Sequence, residues 1–86
     1  MINVVYTKSF VRRFKKLEND VEEEAFKKIE LFKNRSNHRV LKVHKLHGDM
    51  KDSFSFSVNQ KVRIVFRYLS DEEVILIAID DHDIYR

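Results

Sequence analysis

Two arginines on alternating positions, and four histidines, are the side chains of this sequence best suited to chemistry. In Val62-Arg63-Ile64-Val65-Phe66-Arg67 the even positions are apolar and the two arginines fall on odd ones. On a half-buried strand that spacing turns both guanidinium groups away from the core. Just upstream, Phe54, Phe56 and Val58 alternate with Ser53, Ser55 and Ser57. A three-residue loop, Asn59-Gln60-Lys61, pairs Val58 with Val62, Phe56 with Ile64 and Phe54 with Phe66. A two-residue turn would instead set Val58 against Lys61 and Phe56 against Arg63, mixing apolar and charged groups on one face. The predicted hairpin therefore carries Ser53, Ser55, Ser57, Arg63 and Arg67 on a polar face, which is either a solvated exterior or a site for an anion. Histidine ordinarily titrates near ~6.5, so an imidazole beside such a face can take or give a proton at neutral pH.

The charge distribution agrees with an anionic partner. Net charge is only +3, but Arg35, Arg39, Lys42, Lys45, Lys51, Lys61, Arg63 and Arg67 lie in one stretch with His38, His44 and His47, and its only acids are Asp49 and Asp52. Such a local field suits a polyanion or an acidic protein. The chain of 86 residues has no Cys and no Pro. It reads as one domain, residues 1–86, that buries ~60% of its unfolded surface without disulfide or thiolate–metal support. The lack of Cys fits a cytoplasmic location. No apolar stretch is long enough to span a membrane, and the first residues do not read as a signal peptide.

The elements that would position these groups follow from periodicity. Residues 2–6 are a β-prone strand. Thr7 is a predicted N-cap for a helix from 8 to about 17, with Phe10, Phe14 and Leu17 on one stripe. Asn19 or Asp20 would cap a second helix, 21 to about 33, with Val21, Ala25, Ile29 and Phe32 on its stripe and Phe26 alongside. Residues 40–48 read as an irregular or extended lead-in that turns at Gly48. The hairpin follows, then a turn at Ser70-Asp71-Glu72. Residues 73–80 are apolar on both faces and predict a central strand. The fold class is α+β, ordered βααβββ, with the N-terminal strand and helical hairpin packed on one face of an antiparallel sheet.

Three segments in this order carry a resemblance: His44-Lys45-Leu46-His47-Gly48, then residues 57–66, then Ile79-Asp80-Asp81-His82-Asp83-Ile84-Tyr85. Together they resemble the RelE/ParE toxin superfamily over essentially the whole chain, with the YoeB-like and YafQ-like branches nearest. The resemblance implies a small βααβββ domain and a type II toxin neutralised by a cognate antitoxin protein. RelE-like members imply a metal-independent endoribonuclease that cuts mRNA on the ribosome without a cofactor. ParE-like members imply action on DNA gyrase instead, and a scaffold that only binds its antitoxin is a third alternative.

Carried onto this sequence, the resemblance implies His44 as the base that takes the 2′-OH proton. Arg63 would hold the non-bridging phosphate oxygens, and His82 would be the acid for the leaving 5′-oxygen. Tyr85 would stack on a base or orient the phosphate. Lys42, Lys45, Lys61 and Arg67 would hold the RNA strand. The chain departs from the YafQ-like pattern at Ser57 and Lys61, which replace a histidine and an aspartate. It also departs at Asp81 and at the three-residue step from His82 to Tyr85.

Each residue has a plainer alternative. His44 could pack on Leu46 and bond a backbone carbonyl. His82 could pair with Asp81 or Asp83, which favour its charged form. Arg63 could pair with Asp80 or Asp83, and Tyr85 could be a packing aromatic. His44, His47, His82 and Asp83 could also be read as metal ligands, but Gly48 argues against the helix that the His-x-x-His spacing needs.

Overall fold

In a computed structural model of the protein, which describes residues 1–48 and 52–81, the elements run β1 (Asn3–Tyr6), α1 (Lys8–Phe14), α2 (Asn19–Phe32), a 3-10 turn (Arg35–Asn37), β2 (His44–Lys45), β3 (Phe54–Ser57), β4 (Val62–Ser70) and β5 (Glu73–Asp81). The strands form one sheet in the order β1-β5-β4-β3-β2. Both helices supply buried residues to a single core on one face of it. No helix among the described residues is long and apolar enough to cross a membrane.

The hairpin has the register its alternation predicts. Phe54 lies opposite Phe66 and Phe56 opposite Ile64, and Val58 N–H donates to the Val62 carbonyl at 2.9 Å. Asn59 fixes the loop: its Oδ1 accepts from the Lys61 and Val62 amides, each at 2.8 Å. Phe32 of α2 stacks on Phe56 with ring centroids 4.4 Å apart and meets Phe66 edge-on at 4.8 Å. All three rings are fully buried, so helix and hairpin share one aromatic cluster.

Thr7 caps α1 as predicted. Its hydroxyl accepts from Phe10 N–H at 3.0 Å and donates to the Leu76 carbonyl at 3.0 Å, tying the helix start to β5. The helix ends at Phe14 rather than near 17, because Lys16 and Leu17 bond back three residues to Arg13 and Phe14, tightening the last turn. The second helix starts two residues earlier than expected, with Glu18 at the N-cap and no side-chain cap bond. Asp20 bonds only its neighbour Val21 N–H.

Three features depart from the predicted sheet. The first strand is an edge strand within it, parallel to β5, with Asn3 opposite Glu73 and Tyr6 opposite Leu76. That pairing gives its backbone groups partners and makes the sheet mixed. The lead-in contains a two-residue strand, with His44 opposite Ser55 and Lys45 opposite Phe54. The third feature is a bulge that an uninterrupted apolar run conceals. Val65 pairs with Ala78 but Phe66 with Leu76, so Ile77 is an extra residue in β5. The bulge lets Val74, Leu76 and Ile79 all reach the core although their spacing breaks strict alternation.

Candidate active site

Pairing places His44 and Arg63 on one face of the sheet, opposite the helices. His44 shares a row with Ser55 and Val65, and Arg63 shares the next row with Ser57 and Asp80. Directly opposed residues project to the same side, as do residues two apart on one strand. Two strand spacings across and one two-residue step along put their α-carbons ~12 Å apart. Side chains of histidine and arginine length can close on one phosphate across that gap.

His44 is exposed at the sheet edge. Its Nδ1 lies 2.8 Å from the Lys42 carbonyl oxygen. A carbonyl can only accept, so Nδ1 carries the proton and donates it, leaving Nε2 of the neutral ring with a free lone pair. The carbonyl belongs to a residue with φ 59°, an uncommon conformation for a side chain other than glycine. The backbone bond foreseen as a plain structural role thus also sets the tautomer a general base needs.

Arg63 is half-buried, and its Nη1 is fully buried with no hydrogen-bond partner among the described residues. Its cross-strand neighbour Asp80 could have neutralised it. The Asp80 carboxylate is instead bound by Arg13 of α1. Among the described residues Arg63 makes no ion pair, so the guanidinium keeps its charge for another anion.

The rest of this face is not the solvated exterior that is one of the two readings of its serines and arginines. Ser53 and Ser55 are buried, as is Val65. Ser55 lies between His44 and Val65 in its row, with Arg63 and Arg67 diagonally across. Ser55 is fully buried, and its hydroxyl has no partner among the described residues. Arg67 is exposed on the same face, and its Nε donates to Ser53 Oγ at 3.3 Å.

The other expected strand-holding residues are dispersed. Lys42 is exposed just before β2, and Lys61 is exposed in the β3–β4 loop. Lys45 is paired with Phe54, so alternation turns it to the helix side of the sheet, away from His44. His82 and Tyr85 lie outside the described residues. Sequence reasoning missed Arg13 as the partner of Asp80, because one basic residue among five in residues 8–16 carries no mark of a contact far along the chain.

No family model matches the chain, and no curated relative matches it. Solved structures do. A YafQ mutant from E. coli superposes with a TM-score of 0.73 at 17% identity, covering 98% of this chain and 97% of that one. The YoeB–YefM complex from Staphylococcus aureus gives 0.72 at 13%, covering 95% and 98%. The toxin–antitoxin complex RelBE2 from Mycobacterium tuberculosis gives 0.70 at 18%, covering 94% and 98%. Two helices on a five-stranded mixed sheet, matched nearly end to end by these structures, give this chain the fold of the RelE/ParE toxin superfamily.

Proposed function

We propose that the chain is the toxin of a type II toxin–antitoxin pair and acts as a metal-independent endoribonuclease on mRNA at the ribosome. The observation that carries this reading is a histidine and an arginine on one sheet face: His44 with its Nδ1–H given to the Lys42 carbonyl and its Nε2 free to accept a proton, and Arg63 without an ion pair among the described residues, its neighbouring carboxylate taken by Arg13. The toxin–antitoxin complexes among the structural neighbours support a protein antitoxin as partner.

In the proposed reaction Nε2 of His44 removes the proton of a 2′-OH, and that oxygen attacks the adjacent phosphorus. The guanidinium of Arg63 holds the non-bridging oxygens as negative charge builds on them. The bond from phosphorus to the 5′-oxygen breaks, and His82 protonates the departing oxygen. The products are a 2′,3′-cyclic phosphate and a 5′-hydroxyl. Tyr85 stacks on a base or orients the phosphate, and Lys42, Lys61 and Arg67 attract the strand.

The test is induction in cells, followed by primer extension on a translated message. Wild type should stop translation and leave cut mRNA, whereas His44→Ala and His82→Ala should leave it intact. DNA damage and filamentation with uncut mRNA would replace this reading with a gyrase-directed one.

A further inference from the structure

A cleft of about 310 Å³ opens between α2 with its following turn and the β3–β4 hairpin, a size at the low end for ligand sites. Lys28, Lys42 and Arg63 line it together with Ser57, Leu31 and Val40. No described acidic side chain lines it. Leu31 is 43% exposed and Val40 80% exposed, so the cations stand beside an uncovered apolar ledge. Lys28 is half-buried, and its Nζ donates to the Val58 carbonyl at 3.0 Å. That bond aims the ammonium at the hairpin and leaves two of its protons unassigned. The cleft joins the face described above through two residues: Arg63 belongs to both, and the Lys42 carbonyl holds the His44 ring.

We infer that this cleft seats the nucleotide adjacent to the scissile phosphate, with its phosphate among Lys28, Lys42 and Arg63 and its base laid on Leu31 and Val40. The inference rests on the nuclease reading for the identity of the strand. An anion carrying a flat apolar group matches cations beside a ledge; a purely acidic peptide would use the cations and leave the ledge bare. Phosphate contacts of this kind fix the register of a strand without reading its sequence, so Lys28 is a substrate-positioning residue on α2, a helix whose buried face packs into the core.

The test is fluorescence anisotropy with a labelled RNA hexamer bearing 2′-fluoro groups, which binds but cannot be cut. Lys28→Met should weaken binding roughly fivefold or more and lower the salt slope by about one ion. Lys28→Arg should restore both, separating lost charge from a lost bond to Val58. Val40→Ser should weaken binding about twofold or more with the slope unchanged. Lys27→Met, one residue along on an exposed lysine, should bind as wild type. Equal losses from Lys27→Met and Lys28→Met, no effect of Val40→Ser, or no binding by wild type would overturn the assignment. Equal competition by hexaglutamate, sensitive to the same variants, would overturn it in favour of an acidic peptide. Cleavage of unmodified RNA is read separately: an RNA held through these residues but never cut would end the nuclease reading and leave the cleft standing.

Discussion

Arg13 of α1 holds the carboxylate of Asp80, the residue directly across from Arg63 in the β4–β5 ladder. The Arg13 side chain is half exposed, so the ion pair adds no more than about 1 kcal/mol to stability. Its effect on Arg63 is larger in kind, since it decides whether that guanidinium faces a phosphate or a carboxylate. Arg13→Met should slow single-turnover RNA cleavage several-fold, up to about tenfold. Asp80→Asn should be nearly silent, and the double variant Arg13→Met with Asp80→Asn should recover to within about twofold of wild type. A double variant as slow as Arg13→Met alone would mean that Arg13 acts on the RNA itself.

The bond from His44 to the Lys42 carbonyl predicts one tautomer. A two-dimensional nitrogen–proton spectrum of the free protein should show the His44 ring protonated at Nδ1 and bare at Nε2. His44→Ala should reduce cleavage by about a hundredfold or more. It should hardly change the melting temperature, because the side chain is exposed on a two-residue edge strand. Protonation at Nε2 in the neutral ring would contradict the base assignment.

Ser55 makes a prediction of opposite sign. Its hydroxyl is buried and has no partner among the described residues, and burying such a group without a bond is unfavourable. Ser55→Ala should leave the melting temperature unchanged or raise it, by up to about 4–8 °C for a gain near 1 kcal/mol in a domain of this size. A fall of several degrees would show that the hydroxyl has a partner in solution.

Phe32 carries the stability of the aromatic cluster. It is fully buried against Phe56, Phe66 and the ring of His38, whose centroid lies 4.6 Å away. Phe32→Ala should destabilise the fold by about 3–5 kcal/mol in urea titration. A loss under about 1 kcal/mol would mean that the helix does not depend on this contact.

Much of this architecture was legible in the chain. Alternation in residues 53–67 gave the hairpin register, and Thr7 announced the start of α1, because both signals are local. The pairing of β1 with β5 was not legible, since nothing near Asn3 points to Glu73. The two-residue strand at His44 is too short to show a period, and the run from Val74 to Ile79 is apolar at every position, so no alternation betrays Ile77. At the site, sequence placed His44 and Arg63 among the candidates and the fold put them on one face. It could not show that Ser53 and Ser55 are buried, because alternation gives the side of the sheet a residue faces and not what covers that side. Nor could it show that Lys45 faces away from His44, a consequence of its pairing with Phe54.

The bulge at Ile77 also sorts charge. With one extra residue between Leu76 and Asp80, the strand changes phase, so Ile79 enters the core and Asp80 emerges on the side of Arg63. In an unbulged strand the same sequence would push the aspartate beneath the helices and set an isoleucine beside the guanidinium. The electrostatic character of that surface therefore originates in a backbone irregularity, and a chain with identical side chains but regular pairing would lack the Arg13–Asp80–Arg63 arrangement altogether.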